Sequence, residues 1–371
     1  MALTVRCTDR FGKCSPTFFE SQFIRRFQKL QATLESRPRD RRTTIDFAFS
    51  PFKWADLLEL SSIAATMMAL ASSTANKIRF TFSSPDPNTV RFLAGSGFLH
   101  LLESAKVIVD VAHGHDTLDE FTYFRFADID DMSTRNVAVK VAGERLAFDC
   151  RFHGDQIASF KRILGEALDN AVEHAYGKKQ VAFAPRLFAI RRFSFRGLRH
   201  LQARQLEQHL SAMTDWMRSL ALRQASDFLE IAIVDVGLGI LGTVRDSLAA
   251  YLKSRVTDRP LHAAELNDLN ALEFVLSDAR STSLPDKNRG HGLYDLKNHV
   301  QAWDGLLSVR SGHAGIVYAP GGVGLSTSSA RRSFFPGTQI RIILPIQDRR
   351  EYIRYVMARE AARNAQQWRP E

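Results

Sequence analysis

A chain of 371 residues can bury a substantial core and has room for two domains, or for one domain with an appendage. Hydrophobic residues make up 45% of it and charged residues 24%, ordinary values for a globular protein, and no apolar run approaches the ~20 residues a membrane-spanning helix needs. The net charge of +10 gathers in Arg37 to Arg42, Arg191 to Arg199, Arg331 with Arg332, and the tail from Arg349; it admits nucleic acid as a partner without requiring it, because solvated basic faces give the same composition.

The opening MALTVRCTDRFGK lacks the apolar core of a secretory signal, and the odd set Cys7, Cys14 and Cys150 shows no C-x-x-C spacing. These features predict a cytoplasmic chain without a disulfide framework or a zinc ribbon. Residues 1–42 read as an N-terminal extension. Residues 43–49 (TTIDFAF) alternate as a strand does. After Pro51 a helical pattern runs from Lys53 to Ala71, with Trp54, Leu57, Leu58, Ile63, Met67 and Met68 near one face; the two methionines are core filler rather than cofactor contacts. Lys77 to Ser83 reads as a strand, Asn88 to Ser104 as a helix broken near Gly95 and Gly97, and Lys106 to Val111 as a third strand. Such a β-α-β-α-β run predicts a small α/β domain over residues 43–112.

Through IDFAFSP, the long helix and FLAGSGFLHLL, this segment resembles a STAS-like domain, the small α/β fold of anti-sigma-factor antagonists. That family is phosphorylated on an Asp-Ser-Ser-Gly turn at a helix start. Here the pair Ser61 and Ser62 lies inside the helix without that Asp and Gly. The resemblance therefore implies a domain that binds a protein partner.

Residues 113–153 read as a connecting segment. A helix follows from Gln156 to His174, then strands at Val181 to Ile190 and Phe228 to Val234. Between those strands an amphipathic helix, about His200 to Arg223, carries Leu206, Leu210, Met213, Met217 and Leu220 at helical spacing. A helical pair occupies Leu241 to Ser277. The remainder reads as a helix (Leu293 to Trp303), a strand (Leu306 to Ser311), a Gly-rich hairpin over 314–332, a strand (Thr338 to Leu344), and a basic helix or tail over 347–371. That hairpin lacks the G-K-[ST] ending of a Walker phosphate loop.

Four short motifs carry chemistry. In LGEALDNAVEHA, Glu166, Asn170 and His174 stand four residues apart, so one helix face presents a carboxylate, an amide and an imidazole in a column. An amide oxygen suits Mg²⁺, which takes few protein ligands beside phosphate and water, and a nearby carboxylate can orient an attacking water. A solvated helix face is the competing reading. In IAIVDVGLGI an apolar strand ends at Asp235, where a carboxylate can accept from an exocyclic amine; Gly237 and Gly239 let backbone approach a base closely, or simply make a turn. In NRGHGLYDLKNHV, Gly290 and Gly292 precede a helix whose free N–H groups can receive phosphate oxygens, with Lys287 and Arg289 in the same loop; His291 is an ordinary loop residue. In PGTQIRIILP, Gly337 and Thr338 stand before a closing strand.

Taken in order, E-x-x-x-N, D-x-G-x-G, G-x-G-L and G-T form the series of the GHKL superfamily, which holds gyrase, the large heat-shock chaperone, histidine kinases and mismatch-repair ATPases. Residues 154–346 resemble its histidine kinase-like ATPase domain. The resemblance implies an α/β (α+β) Bergerat-type sandwich, with helices on one face of a mixed sheet. It further implies ATP and Mg²⁺ as cofactors. Asn170 would hold the metal, Asp235 the adenine amine, and Glu166 would be the general base. Gly237, Gly239, Gly290, Gly292 and Leu293 would shape pocket and lid, Thr338 would sit near the adenine, and His174 and Lys287 near the phosphates. The span from Leu241 to Arg289, with its polar run ARSTSLPDKN, would be a mobile lid.

Three functions compete on this basis: a slow ATPase acting as a nucleotide-dependent switch, a GHKL-type serine kinase of the anti-sigma kind, and a non-hydrolysing nucleotide sensor in a larger assembly. A histidine kinase would need a dimerising hairpin with an acceptor His and a following acid, and His115-Asp116 lies in a polar loop instead. GHKL ATPases often dimerise, so a homodimer through the helix near 200–223 competes with that helix packing on its own sheet.

Overall fold

The computed structural model describes residues 2–8, 44–50, 57–73, 77–82, 92–111, 125–128, 136–137, 139–140, 142–144, 154–174, 186–194, 227–255, 262–277, 292–319, 325–328 and 334–346. Strands β1 (Ala2–Thr8), β2 (Thr44–Ser50), β3 (Lys77–Phe82) and β4 (Ile108–Val111) form a sheet in that order, parallel throughout. Helix α1 (Leu57–Ser73) joins β2 to β3, and α2 (Phe98–Ser104) precedes β4. The three strands expected here are present. The fourth, β1, comes from the segment read as an extension and pairs with β2 along its whole length. The helical run before β4 breaks at Gly97, whose φ of 80° is left-handed and costs glycine nothing.

The second sheet is built from β5 (Arg125–Asp128), β6 (Arg186–Ser194), β7 (Asp227–Asp235), β8 (Leu306–Gly312), β9 (Ala314–Tyr318), β10 (Leu325–Ser328) and β11 (Phe335–Ile346). Its order is β10-β9-β8-β11-β7-β6-β5, and every neighbouring pair is antiparallel. This corrects the expectation of a mixed sheet. Short returns such as Gly312 to Ala314 reverse the chain without the crossover that a parallel pair needs. The Gly-rich stretch after β8 does form a hairpin, β9 with β10, and the connecting segment supplies the edge strand β5.

Four helices cover one face: α3 (Gly154–His174), α4 (Gly239–Arg255), α5 (Asp268–Leu276) and α6 (Gly292–Ala302). Alternation along β7 explains the division. Leu229, Ile231 and Ile233 point into the core under these helices, while Ala232 and Val234 point to the other side. That other side is not bare, which corrects the expectation of helices on one face only. Helix α1 lies across β6, β7 and β11, with Leu57 seated on the small pair Ala189 and Ala232.

Sandwiched in this way, α1 is buried almost all round rather than along one stripe, Met67 and Met68 included. Its hydroxyls are satisfied within the helix: Ser61 Oγ donates to Leu57 O at 2.8 Å and Ser62 Oγ to Leu58 O at 2.7 Å. Ser61 is fully buried, so this pair is sealed from any modifying enzyme. On the same sheet face Glu230 is enclosed between Arg191 and Arg341, the latter at 3.0 Å; Arg192, next along β6, pairs with Asp227 at the strand end. Two arginines of the basic run from 191 are thus already engaged by carboxylates. The helix expected near 200–223, the loop 278–291 and the tail 347–371 lie outside the described residues. Among the described residues no helix is long and apolar enough to cross a membrane.

Candidate functional site

A cleft open to solvent lies between the ends of β7 and β11 and the helices α3, α4 and α6. Asn170, Asp235, Gly239, Leu293 and Thr338 all line it. Residues separated by up to 168 positions in sequence, Asn170 to Thr338, are therefore brought to one place. Thr243, Val244, Val275, Ile240 and Ile340 complete a largely apolar wall.

Asp235 ends β7, directly across the ladder from Thr338 on one side and Arg186 on the other. It is 4% exposed, and among the described residues its Oδ1 has no hydrogen-bond partner. Burial pushes its carboxyl from 3.8 up to about 7; hydrogen bonds from the Thr338 hydroxyl and backbone N–H, and the charge of Arg186, oppose that rise. A buried acceptor with one oxygen unmatched is costly unless something from outside supplies a donor.

The backbone beside it is unusually close. Gly337 has φ 121°, and a Cβ there would overlap the Asp235 carbonyl and stand 2.8 Å from Gly237 N. Gly239, at φ 68°, opens α4, and a side chain on it would meet Ser311 Oγ. Ser311 accepts from Ile240 N at 2.8 Å and donates to Gly337 O at 3.1 Å, tying the start of α4 to the irregular part of β11. Neither Ser311 nor Arg186 was singled out by the sequence reading. Both act through cross-strand register, which leaves no local signature.

On α3, Asn170 Nδ2 donates to Glu166 O at 2.6 Å, which leaves Oδ1 as the acceptor of that amide. Gly292, the first residue of α6, packs directly on it: a Cβ would lie 2.7 Å from Nδ2 and 2.8 Å from Oδ1. The positive end of α6 thus adjoins a neutral oxygen donor, an arrangement suited to an anion with its counter-cation. Glu166 sits one turn back on α3, partly buried and outside the cleft's lining. His174 ends α3, with its side chain outside the described residues, as are Lys287 and Gly290 entirely. Gly237 lies in the turn between β7 and α4.

Among the described residues no group of three or more His, Cys, Asp or Glu side chains is placed to hold a metal. A cation at Asn170 would draw its other oxygens from water or from a ligand, as Mg²⁺ commonly does. Comparison with family models, with curated proteins and with solved structures gives no match.

Proposed function

We propose that this cleft binds an adenine nucleotide with Mg²⁺, and that the protein is a GHKL-type switch with slow ATP hydrolysis. The observation that carries the reading is the Oδ1 of Asp235, which has no hydrogen-bond partner among the described residues, in a largely apolar cleft. An exocyclic amine, as on adenine, supplies the missing donor, whereas guanine presents a carbonyl in the corresponding place and would leave two acceptors facing each other. The apolar wall formed by Ile240, Val244 and Ile340 suits a flat ring, and the absence of a Cβ at Gly337 and Gly239 keeps the backbone close around it.

At the other end, Asn170 offers its amide oxygen to the cation, and the first N–H groups of α6 face the same region. When bound, the magnesium nucleotide supplies an activated terminal phosphate, and the chain's part is to hold and orient it. Glu166 stands one turn before Asn170 on α3, and we assign it the task of orienting water.

Calorimetry with ATP, ADP and GTP, with and without Mg²⁺, tests the reading. ATP and ADP should bind at least ~10-fold more tightly than GTP, the discrimination expected when a buried polar group is left unmatched. Asn170→Ala should remove the Mg²⁺ dependence of the triphosphate. Glu166→Ala should slow phosphate release by ~10²–10⁴-fold with binding retained. No heat with either adenine nucleotide would overturn the assignment.

A further inference from the structure

The strands that end in the cleft have two sides, and the N-terminal unit holds the second. Along β7, Ile233 and Asp235 line the cleft, while the intervening Val234 and the following Val236 pack into the core built around α1. On β6, Leu187 enters that same core one residue after Arg186, the charge opposite Asp235. On β11, Thr338 and Ile340 line the cleft; Gln339 between them donates from Nε2 to Ser62 Oγ at 2.6 Å. Phe335, two residues before Gly337, is buried against α1 as well.

The place where this matters most is the irregular part of β11. Its pairing with β8 shifts between Phe335 and Thr338, so Gly337 stands outside the regular register, which resumes at Thr338 opposite Ser311 and Asp235. Side chains brace this stretch from both faces. Ser311 holds Gly337 O from the cleft side of the sheet, and the Ser62–Gln339 hydrogen bond holds the strand two residues further on from behind. Ser62 is matched on both counts, accepting from Gln339 and donating to Leu58 O, so the contact is fixed within a packed helix rather than draped over a surface.

We infer that Ser62 and Gln339 are positioning residues for the nucleotide cleft: helix α1 sets, from the far face of the sheet, where Thr338 and the Asp235 carboxylate stand. Nucleotide affinity then depends on the seating of the N-terminal unit, and by linkage a bound nucleotide tightens that seating. The inference rests on the adenine-nucleotide reading of the cleft and adds to it a partner that belongs to the same chain.

The test uses the full-length protein with Ser62→Ala, the conservative Ser62→Thr, and Gln339→Leu, which removes the same hydrogen bond from the sheet side should Ser62→Ala not fold. Leu102→Ala in α2 serves as control for a general loss of packing, because it opens a hole at a buried position while leaving both partners of the Ser62–Gln339 hydrogen bond in place. Each protein is titrated with ATP in the calorimeter, and amide hydrogen exchange of residues 57–73 is followed with and without saturating ATP. The expected result is an ATP affinity about fivefold weaker in Ser62→Ala and Gln339→Leu, recovered in Ser62→Thr, and unchanged in Leu102→Ala despite its lower melting temperature. In the wild type, ATP should slow exchange within α1.

ATP binding that is equally tight in all variants, with exchange in α1 indifferent to ATP, would overturn the inference and leave the nucleotide reading standing. Loss of affinity in Leu102→Ala to the same degree would reduce the hydrogen bond to general stability and also overturn it. A wild type that binds no adenine nucleotide would remove both together.

Discussion

Burial holds the Asp235 carboxyl near neutrality, and this makes one residue readable by titration. In the unfolded chain the group ionises near 3.8; in the folded chain it does so near 7. The folded state therefore keeps its proton longer, and the stability this contributes is complete below 3.8 and lost as pH rises through about 7. Asp235→Asn removes that loss. Relative to wild type, the variant should gain on the order of 3 kcal/mol between pH 5 and pH 8, since each unit of pKa difference is worth about 1.4 kcal/mol. Thermal melts across that range check it, and a constant difference would show the carboxyl to be unshifted. A nucleotide amine that needs the ionised oxygen should bind wild type more tightly as pH rises through about 7, and Asp235→Asn should show neither that slope nor tight binding. The place of Asp235 at the end of a strand was legible because the apolar run stops there, although the glycines after it read equally as a turn. The reason for Gly337 was not: only the folded backbone reveals that its missing Cβ makes way for the Asp235 carbonyl.

Elements were legible where one face is apolar and the other wet, and less so where both faces are covered. The periodicity of α3 and the closing strand β11 stood out, with boundaries a few residues short. Helix α1 was found but read as one-sided, because Ser61, Ser62, Ala64, Ala65 and Thr66 look like a weakly polar face. Their small size instead lets a second sheet approach. Strands β1 and β5 were missed, and β9 with β10 were read as a hairpin without strand bounds; short segments rich in Gly, Ser or Arg carry too little alternation to stand apart. The covered second face also encloses Glu230, at 0% exposure, between two arginines. Removing one member of such a group strands the others' charge away from water. Glu230→Ala should cost about 3–5 kcal/mol, whereas Arg192→Ala, whose pair with Asp227 is part-exposed, should cost less than about 1 kcal/mol. Urea melts with matched slopes would measure both, and near-equal losses would mean that the Glu230 group is not sealed as described.

At the scale of the whole molecule, the sequence divides into a small α/β unit over 43–112 and a larger unit over 154–346 with a connecting segment between them, and the described packing runs across that division. One core contains residues of α1, α2 and β3 together with Leu187, Val234 and Phe335 of the second sheet. Cutting between the units would bare Leu187, Ala189, Ala232, Val234 and Phe335 on one flat face, with the charges of Arg191, Glu230 and Arg341 among them. An exposed apolar sheet face of that kind favours association, and the buried ion group would have to be rehydrated. A fragment of residues 154–346 should therefore aggregate or melt without a cooperative transition, while the full chain melts as a unit. Light scattering and calorimetric melting of the two, side by side, decide the matter. A monomeric fragment that melts sharply and binds ATP as tightly as the full chain would mean that α1 is a cover the second sheet can do without, and that the motif-bearing half is self-sufficient. The packing of Leu57 on Ala189 and Ala232 argues for the first outcome: alanines are placed in the middle of a broad sheet when a helix must come close, and a sheet meant to face water has no use for them there.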